Sequence, residues 1–254
     1  MTRIIALANQ KGGVGKTTTT LNLGAALAER GRRVLLVDLD PQSNLTTCTG
    51  YVVHEDDLTT YHLLHHPEQS MAMKPYQVRD NLALIPTTLD MATAEVELSA
   101  KIGREMILKK VLHPLRAIYD YILIDPPPSL GLFTLNALGA ATEVIIPLQS
   151  HPLALKGLGQ LQQTILLMKE VNPSLQIGGI VMTLINRRQN LDSEVEAAIR
   201  ARAGRLVFQT VIPINVRLAE ASARALTIFE HDGSSTGAQA YRDLAGEVED
   251  RGSA

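Results

Sequence analysis

The sequence predicts an α/β chain: a doubly wound, mostly parallel sheet with helices on both faces, forming one domain over residues 1–254. Short, near-continuous Val/Ile/Leu runs alternate with stretches of helical spacing, the pattern of parallel strands buried on both faces. Three of those runs end in glycines or aspartates, where open α/β sheets bind their ligands.

The first run, Ile4 to Ala8, is bounded by Asn9, Gln10 and glycines and reads as a buried strand. Thr18 to Arg30 carries Leu21, Leu23, Ala25, Ala26 and Leu27 at mostly helical spacing, and Gly31 supplies the stop. Val34 to Val37 is the second strand and ends on Asp38, so strand, helix and strand make a βαβ unit. The rhythm recurs in Tyr121–Ile124 before Asp125, in Val144–Leu148, in a helix from Leu153 to Val171, and in a strand from Ile177 to Leu184. The polar, His-rich stretch from His54 to Asn81 reads as a helical insertion. No linker, internal repeat or low-complexity tract divides the chain.

The 254 residues are 45% hydrophobic and 20% charged, which excludes disorder as the main state. A formal charge of −2 excludes a histone-like DNA coat but not a local basic patch. The one cysteine, Cys48, makes no internal disulfide and no four-thiolate zinc site, and fits a reducing cytoplasm. No run of 18 apolar residues and no signal-peptide pattern occurs, so the expectation is a soluble, cytoplasmic protein. His62 and His66 have metal-site spacing but no third ligand, and read as a solvated helix face.

Between the first strand and the first helix stand Lys11, Gly12, Gly13, Val14, Gly15, Lys16, Thr17 and Thr18. Glycines let backbone N–H groups approach phosphate oxygens, and the new helix points its positive end at the same place. Lys16 supplies a cation to the β and γ phosphates of a nucleotide, and the Thr17 hydroxyl is placed to ligate Mg²⁺. Asp125 follows four apolar or aromatic residues, the Walker B form, whose carboxylate holds the metal through water. Asp38 and Asp40 also stand at a strand's carboxyl end. No Asn-Lys-x-Asp guanine signature occurs, which favours ATP.

Gln10 stands where the strict phosphate-loop pattern has glycine, and Lys11 opens the loop. This resembles the deviant Walker A ATPases: ParA and Soj partition proteins, MinD and the nitrogenase iron protein. The resemblance runs from Met1 to about Gly246 and is nearest to the small ParA type that begins at the first strand, without an N-terminal helix-turn-helix domain. It implies that Lys11 reaches the partner's nucleotide across a homodimer, that Asp40 orients the attacking water, and that Asp38 supports the metal. It also implies that Pro213 packs on the adenine and Asn215 hydrogen-bonds it. ATP would then drive dimerisation, the dimer would bind DNA without sequence preference on the nucleoid, and a ParB-like partner would stimulate slow hydrolysis. The outcome is partition or positioning of a chromosome, plasmid or other cargo.

Seven arginines against four acids between Arg187 and Arg224 make a candidate phosphate-contacting face. Within it Arg188 and Arg217 resemble family positions that touch DNA. Other positions depart from the family: Ile214 replaces a frequent arginine, 223–225 and 233–237 lack the usual basic residues, and Pro126 stiffens the segment after Asp125. The alternative readings are a MinD-like spatial regulator and a nucleotide-gated protein scaffold without DNA binding. Asp243, Glu247, Glu249 and Asp250 make the C-terminal stretch a poor membrane anchor, and a single cysteine excludes an iron-protein-like cluster.

Overall fold

The computed structural model describes residues 1–151, 154–186 and 190–252. Its first half runs β1 (Arg3–Leu7), α1 (Lys16–Glu29), β2 (Val34–Asp38), α2 (Asn44–Cys48), α3 (Thr60–His65), β3 (Tyr76–Arg79), β4 (Leu82–Ile85), α4 (Met91–Glu97) and α5 (Ile107–Leu112). There follow β5 (Tyr121–Asp125), α6 (Leu132–Ala140), β6 (Glu143–Gln149), α7 (Ala154–Val171) and β7 (Gln176–Ile185). The last part holds α8 (Asn190–Ala203), β8 (Val207–Pro213), α9 (Val216–Ala223), α10 (Ile228–Asp232) and α11 (Thr236–Gly252). The strands form one sheet in the order β3-β4-β2-β5-β1-β6-β7-β8, parallel throughout except for β3. This is the P-loop NTPase fold.

Strand alternation divides the core into two layers. Ile4, Ala6, Leu35, Val37, Ile122 and Ile124 pack on one face with α3 to α8. Ile5, Leu7, Val34, Leu36 and Leu123 pack on the other with α1 and α9 to α11. Because both faces are covered, β2 and β5 are buried at every position, which explains their unbroken apolar runs. The sheet also explains Gly24: a Cβ there would lie 2.8 Å from Leu36 Cδ2, so glycine lets α1 lie close on β2.

The chain turns one way from β1 to β2 and later the other way from β5 to β6, with β5 and β6 flanking β1. That reversal opens a crevice at the carboxyl ends of β1, β2 and β5. Two sequence-based expectations need correction here. The helix expected over Thr18–Arg30 starts at Lys16, so Lys16 and Thr17 form its first turn. The 54–81 insertion is helical only in α3 and a 3-10 turn at Pro67–Met71, and it ends as strand β3. The hairpin signal was Asp80–Asn81, with Asn81 at φ 56 in the left-handed region that such turns require. Leu153, where the next helix is expected to start, lies outside the described residues, and α7 ends at Val171 as expected.

Candidate nucleotide site

The loop from Asn9 to Gly15 is held at both ends before it reaches α1. Asn9 Nδ2 donates to the Pro147 carbonyl at 2.7 Å, and its Oδ1 accepts from Lys11 N at 3.0 Å. Further on, the Thr183 hydroxyl of β7 donates to the Val14 carbonyl at 2.8 Å. Gly13 and Gly15 adopt φ 72 and φ 80, a region that opens the backbone and that side-chain residues enter at a cost. Gly15 caps α1 without a side-chain hydrogen bond, and the first turn of α1 contains no acidic residue. The helix therefore presents its N–H groups and positive end to the crevice with no acid of its own first turn to answer them.

Three aspartates converge beneath this loop. Asp38 and Asp125 are register partners at the ends of β2 and β5, and both are buried. The Thr17 hydroxyl donates to Asp125 Oδ2 at 2.7 Å, and Thr20, one helical turn on, donates to Oδ1 at 3.3 Å. Burial, opposed by Thr17 and by the charge of Lys16, pushes the Asp125 carboxyl up to about 7. Burial and then the charge of Asp125 push Asp38 up to about 8. Lys16 is itself buried, and desolvation lowers its pKa against the opposing pull of Asp125 and Asp40.

Asp38 has an occupation that the sequence did not reveal. Its Oδ1 accepts from Asp40 N at 3.1 Å, and its Oδ2 accepts from both the backbone and the hydroxyl of Thr46 at 2.8 Å. It therefore shapes the turn that presents Asp40. Asp40 is almost fully buried; its Oδ1 accepts from Gln42 N at 3.0 Å. Lys11 is exposed on the rim, its Nζ donating to Gln149 Oε1 at 3.0 Å. Among the described residues no group of three or more His, Cys, Asp or Glu side chains forms a metal cage. Mg²⁺ does not need one, because it commonly takes one or two carboxylates together with substrate phosphates and water. Two adjoining buried carboxylates beside a hydroxyl suit that arrangement.

Beside the loop lies a cavity of about 390 Å³, lined by Gly15, Thr18, Leu184, Pro213, Asn215 and Tyr241 among others. Its volume lies within the range of small-ligand sites. Pro213 and Asn215 thus stand next to the phosphate loop. Asn215 caps α9, its Oδ1 accepting from Arg217 N at 2.8 Å and its Nδ2 donating to Thr236 Oγ1 at 3.0 Å.

The proposed DNA face is less coherent. Arg188 lies outside the described residues. Arg217 is exposed, but its Nη1 donates to Glu220 at 2.8 Å and its Nε lies 3.5 Å from Asp232. Arg200 is bound to Glu196 and to the carbonyls of Phe208 and Gln209, so it fastens α8 to β8. Sequence reasoning counted these as equal charges. His62 and His66 also have local partners, Thr59 and Glu68.

With this geometry in place, known proteins supply the family. The AAA domain family AAA_31 matches residues 2–177. The sporulation initiation inhibitor protein Soj of Bacillus subtilis is 45% identical over 249 residues, covering 98% of each chain. The chromosome-partitioning ATPase Soj of Thermus thermophilus is 47% identical, covering 97% of this chain and 95% of its own. This chain belongs to the Soj/ParA family of partition ATPases. A solved structure from Mycobacterium smegmatis, described as cobyrinic acid a,c-diamide synthase with bound ADP and magnesium, has a TM-score of 0.83 at 39% identity. It covers 97% of this chain and 93% of that one.

Several side chains that organise this Soj/ParA-type site were missed in the sequence. Thr20 was findable, since it lies four residues after Lys16 on the same helical face. Thr46 and Thr183 carry no linear signal, because their partners Asp38 and Val14 come from other elements. Glu95 is likewise hidden: its Oε1 accepts from Leu132 N at 2.9 Å, and so caps α6 where Gly131 has no side chain to do so.

Proposed function

We propose that this Soj/ParA-family chain binds and hydrolyses ATP with Mg²⁺, dimerises in the ATP state, and then binds DNA without sequence preference. The carrying observation is the Thr17 hydroxyl on Asp125, beside Lys16, at the opening of a helix with no acid in its first turn. In this reading Gly12, Gly13, Val14, Gly15 and Thr18 offer backbone donors to the phosphates, and Lys16 answers their charge. Thr17 and Asp125 hold Mg²⁺, with Asp38 behind them, to neutralise charge on the phosphates. The 390 Å³ cavity takes the adenine against Pro213 and Asn215.

Asp40 stands beside Lys16 on a turn fixed by Asp38, and is the group that orients the attacking water. Lys11, exposed on the rim, is placed to leave Gln149 and reach the nucleotide of a second copy. A cation supplied in trans would make hydrolysis depend on the dimer. A ParB-like protein would stimulate the reaction, and partition of a chromosome, plasmid or other cargo on the nucleoid would be the result, within the cytoplasm. Arg188 and Arg217 remain the DNA candidates, the latter with two carboxylates competing for it.

A membrane-cycling reading has less support. No described helix is long and apolar enough to cross a membrane. The polar side of α11 is engaged with the body: Glu247 accepts from Gln209 N and Thr210 N, and Arg251 donates to the carbonyls of Gly178, Leu206 and Val207. The test of the proposal is Asp40→Ala in ATP-turnover and sedimentation assays. It should bind ATP, lose turnover by a factor of a hundred or more, and accumulate as a dimer, as loss of an oriented reactant requires (on the order of 10²-fold). Normal turnover would remove Asp40 from the mechanism. Lys11→Ala should bind ATP and stay monomeric, and a normal ATP dimer in that variant contradicts the trans role.

A further inference from the structure

The nucleotide crevice lies at the carboxyl end of the sheet, and a second concavity lies at the amino end. This hollow, about 440 Å³, is lined by Arg3 of β1, Arg32 and Arg33 of the α1–β2 turn, Arg116, Asp120 and Glu249, among others. Four guanidiniums there face two carboxylates, in a chain whose formal charge is −2. The local excess is positive and opposes the sign of the whole molecule, and a positive excess in a concave surface draws incoming anions.

The hydrogen bonds separate structural arginines from available ones. Arg3 is committed, with Nε and Nη2 on Glu143 at 2.6 and 2.8 Å and Nη1 on the Val248 carbonyl. Arg33 places Nε and Nη2 on Asp120 at 3.2 and 2.8 Å, which leaves Nη1. Arg32 uses Nε alone, on a Glu249 carboxylate that Arg30 also holds, which leaves both terminal nitrogens. Arg116 is half-buried and has no ion pair or side-chain hydrogen bond among the described residues. Free guanidinium nitrogens of three residues, from two places in the chain, thus line one hollow.

We propose that this hollow is a second anion site, binding a phosphate-bearing ligand through Arg32, Arg33 and Arg116. Guanidinium donors match phosphate oxygens in a planar, two-pronged geometry that ammonium groups lack. The volume suits a ligand of nucleotide or pyrophosphate size. The same chemistry is offered by two sources, a free polyphosphate compound and the backbone of a nucleic acid. The site stands on its own geometry and does not need the ATPase reading to hold.

The double variant Arg32→Ala/Arg116→Ala tests it, because Arg30 still holds Glu249 and Arg33 still holds Asp120. The full-length protein and the variant are titrated separately with inorganic pyrophosphate and with a short DNA duplex over a range of salt. Binding at the phosphate loop is common to both proteins and cancels in the comparison. A pyrophosphate-binding component weakened tenfold or more, with DNA binding unchanged, assigns the site to a small phosphate ligand. Weaker DNA binding, with a log K against log salt slope shallower by about 2, assigns it to a nucleic-acid backbone, at roughly 0.9 for each phosphate no longer neutralised. Loss of both assigns it to the shared phosphate chemistry. Equal binding of both probes by the two proteins overturns the proposal. Should the alanine pair lower the melting temperature, Arg32→Gln/Arg116→Gln gives the same comparison with the side-chain stems retained.

Discussion

At the scale of single residues, the site is organised by two carboxylates that burial forces toward neutrality. Asp38 and Asp125 titrate near 8 and 7 in the fold, against about 3.9 in an unfolded chain. The stability tied to their protonated forms is whole below about pH 4 and is lost as pH rises through 7 and 8. The nucleotide-free protein should therefore melt at a lower temperature at about pH 8.5 than at about pH 6. Asp125→Asn should flatten that dependence, and thermal melts of the two proteins across this range check it. An unchanged slope in the variant would show that Asp125 is not the titrating group. Glu220 is the second residue to test. Its carboxylate pairs Arg217 and lies 3.0 Å from His231, so Glu220→Gln should leave Arg217 with Asp232 alone and tighten DNA binding by a small factor. Unchanged or weaker DNA binding would indicate that Arg217 faces no phosphate. Lys16, Thr17 and Asp125 were legible in the sequence because their neighbours are fixed by adjacent residues and strand ends. The double duty of Asp38 was not, because Thr46 reaches it only through the turn that starts α2.

At the scale of elements, the strands were the most legible parts. β1, β2, β5 and β6 are buried on both faces, so their composition alone marks them. β3 escaped because it lies at the sheet edge, short and only partly buried, with no apolar run. The helices between β4 and β6, α4 to α6, are short and take their stability from packing, as at α6. A Cβ on Gly139 of that helix would lie 2.5 Å from the Glu105 carbonyl oxygen, a backbone atom with little room to yield. At Gly131 it would lie 2.6 Å from Glu95 Oε1, the far end of a flexible side chain. Gly139→Ala should therefore cost about 1–3 kcal/mol by overpacking. Gly131→Ala should cost only about 1 kcal/mol, as a displaced helix cap does. Urea midpoints give the comparison, and a larger loss for Gly131→Ala would reverse the assignment of the rigid contact. The opposite edge is guarded differently: Glu247 of α11 occupies the outward N–H groups of Gln209 and Thr210, and Arg200 occupies nearby carbonyls. Side chains there stand in for a further strand.

For the whole molecule, the order of motifs led to the right family, while the placement of positive charge did not follow from the sequence. The arginines between 187 and 224 look like one patch when counted in line, yet Arg200 serves the β8 edge and Arg217 is ion-paired. A group of guanidiniums also meets at the amino end, assembled from residues 32, 33 and 116, which no linear window groups together. Family membership carries the fold and the ancestry of the site, and leaves the link between nucleotide state and DNA to be measured. The most direct measurement is binding of the unmodified protein to a non-specific duplex with ATP, with ADP and without nucleotide, each at low and moderate salt. The account predicts tight binding with ATP alone, weakening steeply as salt rises. Equal binding in all three states, or none in any while ATP still produces a dimer, would contradict an ATP-gated DNA-binding ATPase.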